Sequence, residues 1–389
     1  MNPNTLFCAI DPLRDSTNLP AVMSTGPIRI LHLVDFSAGF QTRRGATSLA
    51  RDLGTGFDVQ TRTIGEAGDY SNLFAALTRL RREVAGTYDV IHAWGGRALA
   101  AALTLRGPIV YTMSDSPSAK TIGWLRAAMV YSPLQVVCPT ATLRRTCVER
   151  GIPLDRCHLI RPGVEFAKIR RRRDSALRSA LGFGENDRVM LLAGESTRSA
   201  GHQSALWAAA ILHVLNPKFR VLVWGPGNEI PNLIHFANGQ NSPNLLRVAE
   251  HQLGRKMEYE ELLPASDLIL VTPRGPVATL PISIAMAAAL PIVATVSYTV
   301  GELLEDRHTA LLAAPGAPRA LARRVLDLEG DPNLQWSLSD MARTEAYEFF
   351  AHTRFVNQYR GVYRQLAEGG KVEVPEIAPG AGMRFHGRG

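Results

Sequence analysis

The stretch Asp267-Leu268-Ile269-Leu270-Val271, followed by Ala285-Met286-Ala287 and then Leu290-Pro291-Ile292-Val293-Ala294-Thr295, decides how this chain folds. Two short apolar runs, each with β-branched residues, bracket a helical segment. Strand-length runs alternating with helical patterns predict βαβ units and a parallel sheet.

Working outward, the same alternation recurs on both sides. Ile28–Val34, Tyr88–Trp94, Pro108–Thr112 and Gln135–Cys138 form a first series of strand candidates. A loop holding Gly39 and Gly45 follows the first strand, with a helix expected near Ala46–Leu53. The second series comprises Val189–Ala193, Phe219–Trp224, Asp267–Val271, Pro291–Thr295 and Thr309–Leu312. Between the two series, Glu165–Ala176 with its run Arg170-Arg171-Arg172-Arg173 reads as the interdomain connection. Two α/β domains of similar size, each Rossmann-like with a parallel sheet, then face one another across a cleft.

The 389 residues suffice for two ordinary domains, and 46% hydrophobic content is that of a globular chain. No apolar run reaches the roughly 18 residues of a spanning helix. Asp11, Arg14 and Asp15 interrupt any signal-peptide pattern. Cys8, Cys138, Cys147 and Cys157 do not form a metal spacing such as C-x2-C, and the thiols read as buried or incidental ones in a reducing cytosol; no metal and no cofactor are expected. A net charge of +8 permits an acidic partner, but no zinc-finger or RNP-type signature accompanies it, and nucleic acid is not expected. The expected domains are a loose leader over residues 1–26, with Met23 as an alternative start, a first domain over 27–165, a second over 166–345, a returning helix over 346–366 and a loose tail over 367–389.

From Ile28 to Leu366 the ordered motifs resemble the family 4 glycosyltransferases. His158-Leu159-Ile160-Arg161-Pro162-Gly163-Val164-Glu165 is similar to that family's Ile-Pro-Asn-Gly-Val-Asp segment. Gly301-Glu302-Leu303 through Pro315-Gly316 matches its Gly-x-x-Glu-Leu and Pro-Gly segments, and Phe355–Tyr363 its closing helix. The resemblance implies a GT-B architecture and transfer of a sugar, with retention, from a nucleotide-diphosphate sugar on the C-terminal domain to an acceptor held mainly by the N-terminal one. In that family protein cations and helix N-termini balance the departing diphosphate, so no metal is needed.

At the donor site the chain departs from the family. Gly194 and Gly201 match the glycines that flank its Arg and Lys, but those two positions read Glu195 and Ala200. The two glutamates before Ala-Met-Ala, which the family uses on sugar hydroxyls and ribose, read Pro276 and Ile284. Arg198 is the substitute cation, or else a solvated loop residue. Thr279 and Ser283 offer neutral hydrogen bonds to a donor, or act as helix hydroxyls. Gly39 suits close approach of backbone to a phosphate. His92 corresponds to the first His of the family's His-x-His and is the catalytic candidate, or a buried strand-end His; Trp94 holds the second position and stacks on a ring or packs the core.

Two functions follow: a glycosyltransferase with altered donor contacts, or a catalytically degenerate relative that binds, scaffolds or regulates. A basic amphipathic segment, Leu73–Leu77 into Arg79, Leu80, Arg81 and Arg82, offers peripheral contact with anionic lipid at the cytoplasmic membrane face, or packs on the sheet as an outer helix.

Overall fold

The computed structural model describes residues 26–65, 84, 88–114, 116–239, 242, 244–275 and 277–375. The leader with Met23, the basic segment at 73–82, Pro276 and most of the tail lie outside them.

Two six-stranded sheets, every pairing parallel, organise the chain. The first contains β1 (Ile28–Asp35), β2 (Phe57–Ile64), β3 (Val90–Trp94), β4 (Ile109–Thr112), β5 (Leu134–Cys138) and β6 (Cys157–Leu159), in the order β2-β1-β3-β4-β5-β6. The second contains β7 (Arg188–Leu192), β8 (Phe219–Val223), β9 (Leu246–Val248), β10 (Leu268–Val271), β11 (Ile292–Thr295) and β12 (Leu311–Ala313), in the order β9-β8-β7-β10-β11-β12. The strand order reverses between β1 and β3 in one sheet and between β7 and β10 in the other. Loops at such points splay apart and open a crevice at the carboxyl ends of the strands.

The described helices of the first half are α1 (Phe40–Asp52), α2 (Gly96–Ala102), α3 (Ala119–Tyr131) and α4 (Ala141–Glu149). Those of the second are α5 (Ser175–Ala180), α6 (His202–Leu215), α7 (Ile230–Gly239), α8 (Ala249–Leu253), α9 (Leu280–Ala287), α10 (Tyr298–Gly301), α11 (Pro318–Glu329), α12 (Pro332–Phe350) and α13 (His352–Ala367). Strand residues alternate between the two faces, so each sheet carries two cores. Leu31, Leu33, Ile91 and Ala93 belong to one core of the first sheet; Ile30, Val34, Val90 and Trp94 belong to the other. The second of these is sealed by Phe355, Tyr359, Val362 and Tyr363 of α13, so the last helix returns to the first sheet.

The opening β-α-β reading holds as β10-α9-β11, and the GT-B architecture holds with it. The first helix differs from expectation. It begins at Phe40 rather than near Ala46, and Gly45 lies inside it instead of in a loop. A Cβ on Gly45 would stand 3.2 Å from the Trp94 ring, so glycine lets α1 pack closely on β3. None of the helices formed by described residues is long and apolar enough to cross a membrane.

Candidate functional site

A cleft of about 970 Å³ lies where the reversal-point loops of the two sheets meet. The first half contributes the loop after β1, the first turn of α1 and the start of α4, including Gly39, Gln41, Arg43, Thr140 and Thr142. The second contributes the loops after β7, β10, β11 and β12, including Glu195, Thr197, Ser199, Thr272, Arg274 and Ser297. Its lining is rich in Ser and Thr hydroxyls, and among the described residues its charged side chains are Arg43, Glu195 and Arg274.

Several helix N-termini border this cleft; that of α10 is capped locally by Ser297, and that of α11 starts at Ala317 and Pro318, while those of α1, α9 and α4 are each met by an oxygen from the opposite half of the molecule. The Phe40 N–H of α1 donates to Glu195 Oε2 at 2.9 Å, and Arg43 pairs with Glu195 Oε1 at 3.1 Å. At α9, Gln41 Oε1 accepts from the Thr279 and Leu280 N–H groups at 2.7 and 2.9 Å. At α4, Glu302 accepts from Ala141 N–H at 2.7 Å and from Thr142 N–H. A helix start presents free N–H groups and positive potential, so a carboxylate or amide oxygen there is stabilised as a bound anion would be.

The first turn of α1 is lodged in the second half. Phe40 packs edge-on against Trp224 with ring centroids 4.8 Å apart, and belongs to that half's core. Arg44 forks onto Glu260, at 2.5 Å and 2.8 Å, and also approaches Glu258 and Glu165. The remainder of α1 continues the contact through Arg51 with Glu165 at 2.8 Å.

Of the residues expected at the site, Gly39 lines the cleft; a Cβ there would stand 3.0 Å from Glu195 Oε2. Gly194 and Gly201 shape the loop behind it. Gly201 has φ +66°, and a Cβ would stand 1.9 Å from the Thr272 carbonyl oxygen, so no other residue fits. Arg198 is exposed in a shallow pocket beside the cleft, shared with Asn228 and Arg274. Thr279 and Ser283 are buried and outside the cleft lining: the Thr279 hydroxyl donates to Gln41 Oε1 at 3.2 Å and the Ser283 hydroxyl donates back to the Thr279 carbonyl at 3.1 Å. Ala200 and Ile284 are buried as well, Ile284 in the apolar core.

His92 does not reach the cleft. It is fully buried beneath α13, hydrogen-bonded through Nδ1 to the Tyr363 hydroxyl and through Nε2 to the Thr112 hydroxyl at 2.8 Å. Burial, then the neighbouring His32, holds its pKa well below the usual histidine range, so it is neutral. Trp94 stacks on it at 4.2 Å as core packing. His202 is likewise an interior strut: Nε2 donates to the Ala193 carbonyl and Nδ1 accepts from Ser196, each at 3.0 Å, and burial pushes its pKa down to about 4.

Sequence reading missed Arg274 and Gln41. Arg274 follows β10 at the reversal point, a position whose topology could have marked it. Among the described residues its guanidinium has no ion-pair partner, while that of Arg43 is met by Glu195. It is therefore the cleft cation left to meet a ligand anion. Cys138, Cys147 and Cys157, although their spacing fits no metal motif, converge in the interior of the first half.

Comparison with known proteins agrees with this geometry. Residues 174–345 match the family described as Glycosyl transferases group 1, and residues 32–168 match Glycosyltransferase Family 4. The chain belongs to the family 4 glycosyltransferases. It is 23% identical over 187 residues to N-acetyl-alpha-D-glucosaminyl L-malate synthase of Bacillus anthracis, a match spanning 48% of each protein, about half the length of that relative. To D-inositol 3-phosphate glycosyltransferase 1 of Catenulispora acidiphila it is 26% identical over 322 residues, 74% of each. In fold it is similar to Anabaena HepE, solved in complex with UDP and glucose, with TM-score 0.73 at 18% identity over 87% of this chain and 99% of that one.

Proposed function

We propose that this glycosyltransferase takes its sugar from a nucleotide-diphosphate donor seated against the second half of the cleft and passes it, with retention, to an acceptor on the first half. The observation that carries the reading is Arg274, a cation without an ion-pair partner among the described residues, facing a hydroxyl-lined cleft of about 970 Å³. Negative charge grows on the diphosphate as the glycosidic bond breaks, and a guanidinium at that point offsets it. Ser and Thr hydroxyls supply hydrogen bonds to sugar and ribose where the family's glutamates are absent. HepE, with UDP in its crystal structures, makes uridine diphosphate the first donor nucleotide to test.

A second reading rests on Glu195 and Gln41. Their oxygens already hold the N-termini of α1 and α9, so two of the positive seats a diphosphate would use are taken. In a non-catalytic relative these contacts are permanent, and the molecule binds or scaffolds in its closed shape. Titration calorimetry with UDP and UDP-glucose separates the two. Under the first reading UDP binds and Arg274→Ala weakens it by about tenfold or more, the loss of one charge-assisted contact. Turnover with NMR assignment of the product anomer tests retention. A folded chain that binds no nucleoside diphosphate and transfers from no nucleotide sugar overturns the first reading in favour of the second.

A further inference from the structure

Away from the cleft, one group of His, Cys, Asp or Glu side chains among the described residues brings at least three ligand atoms close enough to share an ion: Cys138, Cys147 and Cys157, with all three Sγ atoms within 4.8 Å of one another. Cys138 ends β5, Cys147 lies in the last turn of α4 and Cys157 opens β6. The Cys138 Sγ is 3.9 Å from that of Cys147 and 3.7 Å from that of Cys157. A fourth sulfur, Met113 Sδ, stands 3.7 Å from Cys147 Sγ. Four sulfurs bound tetrahedrally at about 2.3 Å from one metal lie about 3.8 Å apart; the two Cys138 distances and the Met113–Cys147 distance match this, and Cys147 and Cys157 lie within 4.8 Å of one another.

Isolated buried cysteines behave as small apolar residues and have no reason to find one another. Here three of the four cysteines in the chain, drawn from three different elements, point their thiols at one spot. All three are free and buried. Three thiolates around a divalent ion leave one negative charge, and Arg150 and Arg144 act on Cys147 and Cys157 from nearby. The position also has structural logic. β6 is the edge strand and only three residues long, so its ladder is short. α4 brings Thr142, Leu143 and Thr146 to the cleft and receives Glu302 at its N-terminus.

We propose that Cys138, Cys147 and Cys157, completed by Met113, bind one thiophilic metal ion, Zn²⁺ or Cu⁺, that staples α4 and the edge strand β6 to β5. All-sulfur ligation selects soft ions, and a closed four-ligand set with no open position is structural rather than catalytic. The ion would fix the angle at which α4 presents the acceptor-side wall of the cleft.

The test uses the full chain, reduced and stripped with a chelator, then offered Zn²⁺, Cu⁺ under anaerobic conditions, or Co²⁺ as a spectroscopic probe. The expected result is about one equivalent of Zn²⁺ or Cu⁺ retained through gel filtration, a thiolate-to-cobalt charge-transfer band with a tetrahedral visible spectrum, and a raised melting temperature. Retention of zinc alone or of copper alone assigns the ion. Cys157→Ser should lower retention, while Cys8→Ser should leave it unchanged. Because Cys157→Ser can fail to fold, Met113→Leu serves as the second variant; it keeps three thiolates and should shift the cobalt spectrum. A folded chain with its thiols confirmed reduced that retains neither ion, and gives cobalt only a six-coordinate aqua spectrum, overturns the proposal.

Discussion

At the scale of single residues, charge placement governs what the cleft can hold. Glu195 stands where the family resemblance leads one to expect arginine, and it both neutralises Arg43 and occupies the start of α1. Removing that charge while keeping the hydrogen-bonding shape should favour an incoming anion. Glu195→Gln is expected to bind UDP about tenfold more tightly by calorimetry, the size of effect one charge exerts across several ångströms of protein. His92 makes the opposite case, since a histidine at a strand end looks catalytic but is hydrogen-bonded to Tyr363 and Thr112. His92→Ala should cost roughly 1–3 kcal/mol in urea unfolding because buried hydroxyls lose a partner, while UDP affinity stays the same. Lost affinity with unchanged stability would return His92 to the site.

At the scale of elements, the informative feature is that helices are capped from far away in sequence. α1 has no local side-chain cap at Gly39, and the oxygen that meets its first N–H belongs to Glu195, 155 positions away. The start of α9 is met by Gln41, 238 positions away. The start of α9 does carry Thr279 and Pro281, but α1 has no such local start signal, which is why its first turn reads as loop. That same turn fastens the two halves together through Phe40. Phe40→Ala is expected to cost about 3 kcal/mol, a large-to-small loss in a core, and to enlarge the radius of gyration in solution scattering as the halves part. An unchanged radius with the same loss would mean that Phe40 stabilises the second half without holding the first to it.

At the scale of the whole molecule, buried neutral histidines set the response to acid. His32, His92 and His202 are fully buried, and burial lowers their pKa values, to about 3 for His32, well below the usual range for His92 and to about 4 for His202. Above about pH 6.5 these groups are neutral in both folded and unfolded chains and contribute no pH dependence. As pH falls from 6.5 toward 4 the unfolded chain takes up their protons and the folded one does not, so stability declines, by about 1.4 kcal/mol per pH unit for each group. Asp52, held down to about 2 by Arg51 and His352, adds a further loss below about pH 4. Urea midpoints should hold between pH 7 and 6.5 and then fall toward pH 4, and His202→Gln should flatten that slope by about one histidine's share.

The sequence by itself determined that this is a two-sheet, parallel α/β chain of the family 4 glycosyltransferase kind. Strand period, helix period and motif order are local properties that buried parallel strands and their crossovers impose residue by residue. It also exposed the missing charges at Glu195, Ala200 and Ile284, because a residue type can be read without its surroundings. Only the tertiary structure decided what fills the vacated roles. It turned His92, Thr279 and Ser283 inward, set Arg274 at the mouth of the cleft, brought Gln41 to α9 and gathered three widely spaced cysteines around one point. His92–Tyr363 and Gln41–Thr279 join residues 271 and 238 positions apart, and even the cysteines, 9 and 19 positions apart, come from different elements; such contacts are fixed by how the sheets and helices stack, and no local pattern encodes them.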